Sequence, residues 1–238
     1  MRTNGSQAPR VTADDPDLAL AAAYAPIILF DAAEPFLPLA VGVTVLRGEA
    51  DSPSFPRRVT REFTPAWEVA IEYAIWWDWD IGHLYELEHV WSYVGADGQL
   101  VWAEGSWHGD FAGMILAGGK VAAEGNRPLL LSQPGKHAFA PEQVCMERIR
   151  PRAVREAAHE AGKDGVLLKE RYAPVIDLQE GDHERAAAYL RPQAFTPTMQ
   201  FTQRFAVSRE LLVPWPLLDK WIPARVNWWL KQLRAADV

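Results

Sequence analysis

The most regular pattern in the chain runs from residue 67 to residue 108. "WEVAIEYAIWWDWD" is dense in β-branched and aromatic residues, "LEHVWSYV" alternates, and "GADGQ" is a hairpin turn leading into "LVWAEGSWH". Side chains of these types fit a pleated surface, and a Gly-bearing turn joins such runs antiparallel, so two or three antiparallel strands are predicted here. Upstream, "LALAAAYA" at 18–25 reads as a short helix or a strand lead-in, with Pro26 pushing the residue before it toward extended geometry. "IILFD" is a buried strand candidate, and "EPFLPLAVGVTVL" holds a strand beginning near Ala40. "GEADSPSFPRR" is a loop by its Gly, Ser and Pro density.

Downstream of the aromatic run, "GMILAGGKVAAEGN" is glycine-rich and ambiguous, and "RPLLLSQPGKHAF" reads as a buried strand ending at a Pro-Gly turn. The texture then turns helical. "RPRAVREAAHEAG" has Gly162 as a natural stop, and "HERAAAYL" is a second short helix. A final helix is predicted from about Pro223, with Val226, Trp229, Leu230 and Leu233 at helical spacing and an apolar face expected to dock on the body. The whole reads as mainly β with added helices: a flexible leader over 1–17, an antiparallel β-sandwich core over 18–145, and helices and strands over 146–238 completing the same domain, ending in an amphipathic helix.

The composition, 49% hydrophobic and 23% charged over 238 residues, is that of a soluble globular domain. Eleven tryptophans are the departure. With 24 basic against 31 acidic side chains and a formal charge of -7, the chain should repel phosphate backbones, so nucleic acid is excluded as an expected partner. Cys145 is the single cysteine, which rules out an intrachain disulfide, leads us to read it as a packed thiol, and makes a cytoplasmic home the expectation. The opening "MRTNGSQAPRVTADDPD" lacks the apolar run of an export signal, and nowhere is there an uncharged run near the ~20 residues a membrane helix needs.

The candidate chemistry lies inside the strand-forming segment. Four of the six histidines, His83, His89, His108 and His137, fall between residues 83 and 137. Glu86 and Glu88 are two apart, which in a strand points both carboxylates to one face and His89 to the other. Two converging carboxylates repel unless protons or a cation neutralise them. Asp78 and Asp80 end the preceding strand and His83 lies in the connection, so a hairpin would gather Asp, His, Glu and Glu at one rim. Such a set suits a divalent ion, with Mg, Ca, Mn, Fe and Zn not distinguished. The alternative is a solvated edge strand with an ordinary loop histidine. Trp76, Trp77, Trp79 and Trp107 are the expected walls of a cleft for an apolar or ring-bearing ligand.

"GHLYELEHVWSYV", Gly82 to Val94, resembles the heptapeptide GHRHDWE and the strand after it in the necrosis-inducing NPP1 family, also called Nep1-like proteins. "SWHG" is similar to that family's Ser/Ala-x-His-Gly element and "NRPLLLSQPGKHAF" to its later strand. The related Vps62-like proteins carry a similar order of elements, matched here by "YAPIILFD", the aromatic run, "ELEH" and "RPLLLSQPGKHA". The resemblance spans residues 24–140. It implies a β-sandwich of jelly-roll type whose rim holds a divalent cation, with Asp80, His83, Glu86 and Glu88 at the ligand positions. Leu84 and Tyr85 replace the motif's Arg and second His, Leu87 replaces its Trp, and Glu86 is one methylene longer than its Asp.

These readings lead to a cytosolic metal-dependent enzyme, with His108 and His137 as acid/base groups or further ligands beside the cation. The alternatives are a cation-dependent binding module for a glycan or lipid head group, as the resemblance implies, and an assembly protein whose helical tail makes a homo-oligomer. No nucleophile elbow, Walker loop, dinucleotide-binding glycine motif, H-E-x-x-H or paired C-x-x-C is present.

Overall fold

A computed structural model describes residues 5–11 and 14–236. Two sheets carry the fold. In the larger, the strand Val69–Trp79 pairs antiparallel with Ala40–Leu46 on one side and His83–Val94 on the other. His83–Val94 pairs in turn with Leu100–Trp107, and that strand with Asp110–Gly113. Gly95 N donates to Gln99 O and Gly98 sits at φ 74°, which closes the predicted hairpin. The smaller sheet runs Phe139–Ala140, Arg127–Ser132, Ile27–Phe30, Gln203–Ala206.

The expected antiparallel sandwich is corrected to a mixed α/β arrangement. Ile27–Phe30 runs parallel to Arg127–Ser132, Leu212–Pro214 parallel to Ala40–Leu46, and Gly165–Val166 parallel to His83–Val94. Parallel neighbours need long connections, and here each pair is joined through distant chain.

Among the described residues four α-helices flank the sheets: α1 Pro16–Tyr24, α2 Gln143–Val154, α3 Asp182–Leu190 and α4 Trp215–Ala235. Asp15 caps α1, its carboxylate accepting from Asp17 N and Leu18 N, with Pro16 at the first turn where no amide donor is required. The helix therefore starts inside the expected leader. Gly5, Ser6 and Gln7 also pack onto α4, their carbonyls accepting from Arg225 and Trp221. Residues 1–4 and 12–13 of that leader lie outside the described residues.

Pro223 lies inside α4 and does not start it. The helix begins eight residues earlier, with Pro216 in the first turn, and its buried stripe of Trp215, Leu218, Trp221, Ile222, Val226, Leu230 and Leu233 outweighs the one backbone donor that Pro223 removes. No described helix is long and apolar enough to cross a membrane.

The large sheet is covered on both faces. On one, Ile71, Tyr73, Ile75, Trp77 and Val90 meet Ile28, Phe30, Leu130 and Phe139 of the small sheet. On the other, Ala74, Trp76, Trp79 and Leu87 pack beneath Trp215, Leu218, Trp221 and Ile222 of α4, while Ala70, Trp91 and Tyr93 lie under Val59 and Trp67. The central strands are therefore buried almost continuously along their length.

That coverage corrects the reading of the tryptophans. Trp76 and Trp77 are 0% exposed and Trp79 is 3% exposed, so they form core and wall no cleft. Trp76 stacks on Tyr85, Trp77 on His137, and Trp79 on Tyr189. Trp107 is part-buried against Leu131, Ala140 and Met146.

Candidate metal centre

The connection between Val69–Trp79 and His83–Val94 is only Asp80, Ile81 and Gly82. Asp80 organises it: its Oδ1 accepts from Gly82 N at 2.6 Å and His83 N at 2.7 Å, and its own N donates to His83 O. Neighbouring chain clamps the turn, with Ile81 N donating to Gly135 O, Gly162 N to Ile81 O, and Asp164 N and Gly165 N to Gly82 O. Gly82 leaves room for charged side-chain ends to approach closely. A Cβ there would stand 3.0 Å from both Asp164 Oδ2 and Lys136 Nζ and 3.3 Å from Asp80 Oδ1.

This turn brings Asp80, His83 and Glu86 together, each offering a ligand atom within 4.8 Å of the others. His83 Nε2 lies 3.4 Å from Asp80 Oδ2 and 3.8 Å from Glu86 Oε2. His83 Nδ1 faces Leu84 O at 3.4 Å, and a proton on Nδ1 leaves Nε2 bare for a cation. Tyr85, between His83 and Glu86 in this strand, takes a left-handed backbone at φ 57°.

Glu88 stands apart from this trio. Its Oε2 accepts from Ser106 Oγ, and Ser106 also accepts from His89 N. Burial first, then the charge of Glu86, pushes the Glu88 carboxyl up to about 8. Asp78, the other candidate aspartate, is turned the opposite way into a buried pair with Arg225, at 2.6 Å. His89 lies on the face opposite Glu88, with Nε2 2.9 Å from Ser54 Oγ.

His108 and His137 do not join the trio. His137 is 0% exposed, its Nε2 3.3 Å from Glu34 Oε1. His108 donates from Nε2 to Gln133 Oε1 at 2.8 Å, and Gln133 donates onward to Glu156. Both histidines have left-handed backbones, at φ 51° for His108 and 63° for His137.

Two further residues belong to the site. Lys136 Nζ contacts Asp80 Oδ2, and Asp164 Oδ2 shares with it the space over Gly82. Burial disfavours the Lys136 ammonium, but Asp80, Glu86 and Asp164 outweigh burial and hold its pKa above the ordinary lysine value. Burial likewise opposes the Asp80 charge, and His83 with Lys136 overcomes it, keeping that carboxylate below its usual range. Lys136 was within reach of sequence reasoning because it adjoins His137 in "GKHAF". Asp164, in "GKDG", carries no local signal. Beside the rim lies a cavity of about 100 Å³ lined by Ile81, Gly82, Lys136, Glu156, Glu160, Lys163 and Asp164.

No protein-family model matches the chain, and no curated protein matches it. Among solved structures, a mutant of NLPPya matches at 17% identity over 56% of this chain and 70% of that one, with a TM-score of 0.37. NLPPya in complex with glucosamine matches at 17% identity over 56% and 71%, and NLPPya in complex with mannosamine at 16% over 57% and 72%, both with a TM-score of 0.37. The chain is distantly similar in structure to NLPPya, an NPP1/Nep1-like protein, and divergent from it.

Proposed function

We propose that this chain is a divalent-cation-dependent enzyme acting on a small polar molecule at the Asp80, His83 and Glu86 rim, in a reducing compartment. The observation that carries the reading is the convergence of three buried or part-buried donor groups from one tight turn and the start of the strand after it, their ligand atoms within 4.8 Å. The donor set fits a divalent ion. Asp80 is held by two amides through Oδ1, so Oδ2 is preset toward His83 Nε2, and the ammonium of Lys136 on that oxygen stands in for a cation. When bound, such an ion polarises a ligand oxygen or water.

The chain's own groups supply the rest. Asp80, His83 and Glu86 hold the ion. Glu88, protonated near neutral pH, is the group beside the rim that can give or take a proton. Glu156, Glu160 and Lys163 line the cavity beside the rim and favour polar or charged ligand groups over the apolar or ring-bearing one that the tryptophans suggested.

A second reading, a cation-dependent binding module for a glycan or lipid head group, is favoured by size. The cavity of about 100 Å³ is well below the roughly 300–1,000 Å³ of small-molecule pockets, which suits one polar head group of a larger ligand.

Metal analysis after loading with Mg, Ca, Mn, Fe or Zn in turn tests the common core of both readings. One equivalent in the wild type, lost in His83→Ala and Glu86→Ala, is the expected result. A wild type that takes up no divalent ion overturns it. Turnover of a ligand whose binding is lost on chelation separates enzyme from binding module.

A further inference from the structure

The cation-binding reading leaves a positive charge in the wrong place. Lys136 is part of a buried turn, its side chain 15% exposed, and its ammonium rests on Asp80 Oδ2, the same atom that His83 Nε2 faces at 3.4 Å. A divalent ion and an ammonium cannot share that oxygen at contact distance, because like charges in a site this poorly solvated repel strongly. Yet the lysine has somewhere else to go. It also lines the cavity of about 100 Å³ beside Gly82, whose walls carry the carboxylates of Asp164, Glu156 and Glu160, the last of them paired with Lys163. Asp164 Oδ2 and Lys136 Nζ already crowd the same point over Gly82.

We infer that Lys136 is the built-in competitor of the divalent cation: its ammonium neutralises Asp80 in the cation-free protein, and the cation enters by displacing it onto Asp164 at the neighbouring cavity. Gly82 makes the exchange possible, since a side chain there would block the path between the two carboxylates. The backbone on either side is fixed, with Gly135 N donating to Glu34 Oε2 and Ile81 N to Gly135 O, so the exchange needs only the lysine side chain to swing. Occupancy of the rim and the position of the Lys136 ammonium in the cavity wall are thereby coupled: with the cation bound, the ammonium faces Asp164 and not Asp80.

This inference rests on the proposed cation site, and the test separates the two. Cation affinity is measured calorimetrically, with Mn and Zn in separate titrations, for the wild type, Lys136→Met, Asp164→Asn and the double variant. Removing the competitor should tighten binding by about tenfold or more, and removing its second resting place should weaken binding by about tenfold; each tenfold corresponds to about 1.4 kcal/mol. In the Lys136→Met background Asp164→Asn should lose most of its effect, since there is no lysine left to receive, and that non-additivity is the signature of the exchange.

Lys136→Arg, which keeps the charge and the fold, should bind no tighter than wild type. Thermal melting supplies an independent readout: Lys136→Met, with Asp80 buried and unpaired, should melt lower than wild type without cation and be raised more by adding it. Binding by the wild type that is unchanged or weaker in Lys136→Met overturns the inference and leaves the cation site standing. No binding by any of the proteins removes the site itself, and the inference with it.

Discussion

The imidazole of His137 lies flat on the indole of Trp77, ring centroids 4.6 Å apart and planes 6° from parallel, while its Nε2 points at Glu34 Oε1. Glu34 also accepts from Gly135 N at 2.7 Å. One core tryptophan and one buried glutamate therefore fix the Gly135–His137 turn, and that turn delivers Lys136 to Asp80.

His137→Ala should destabilise the protein by about 2–4 kcal/mol, from the cavity left against Trp77 and the lost partner of Glu34. Urea unfolding checks this. His108→Ala, at an exposed position whose ring is bonded to Gln133, should cost about 1 kcal/mol or less. Equal effects would contradict the assignment of His137 to the turn.

Asp78 and Arg225 form a buried ion pair, their side chains 16% and 8% exposed, with Trp76 Nε1 also donating to Asp78. Removing Asp78 leaves the guanidinium uncompensated, at a cost of about 3–5 kcal/mol. Asp78→Ala should accordingly melt well below wild type yet bind any divalent cation with unchanged affinity, because its carboxylate points to α4 and not to the rim. Loss of cation binding in a folded Asp78→Ala would reassign the ligand set.

The pH dependence of stability has a contribution from His89. Burial, reinforced by Lys169, holds its pKa well below the ordinary histidine value. The unfolded chain then binds the proton more readily than the folded one, so stability present above about pH 6.5 is lost as pH falls below it, by at most about 1.4 kcal/mol per pH unit for one proton. Urea midpoints measured from pH 7.5 to 5 should fall for the wild type and flatten for His89→Gln. An unchanged slope would mean the acid sensitivity comes from other groups.

Trp76→Ala and Trp77→Ala should each destabilise by about 3–5 kcal/mol, as expected for large rings removed from a packed core. Denaturation measures the loss, and near-ultraviolet dichroism reports the disturbed packing. Near-native stability in either variant would be incompatible with its placement in the core.

Much of the central sheet is legible in local pattern. The alternation at 87–94, the turn at 95–99 and the β-branched density at 69–79 each depend on neighbours in the chain, and the three strands pair as those signals predict. The closeness of Asp80, His83 and Glu86 is also local, since all lie on one turn and the start of one strand. Glu88 misled because the two-residue rule places both carboxylates on one face but does not show what the adjacent strand offers. Ser106, from that strand, holds Glu88. The start of α4 was obscured by Pro223, whose cost is offset by burial that no local window reveals.

By itself, then, the sequence determined what is set by near neighbours and by composition: the strands of the aromatic run, the short helix around residues 183–190, the charge, and the metal-capable cluster in the Asp80–Glu86 turn. Only the tertiary structure decided that both faces of the large sheet are covered, which turns Trp76, Trp77 and Trp79 from expected cleft walls into core. It alone set the three parallel pairings and brought Lys136 and Asp164 to Gly82. The physical reason is the same in each case. Periodicity reports which side of an element is apolar, whereas the identity of what packs against that side, and of the charge that answers a buried carboxylate, depends on segments far away in the chain.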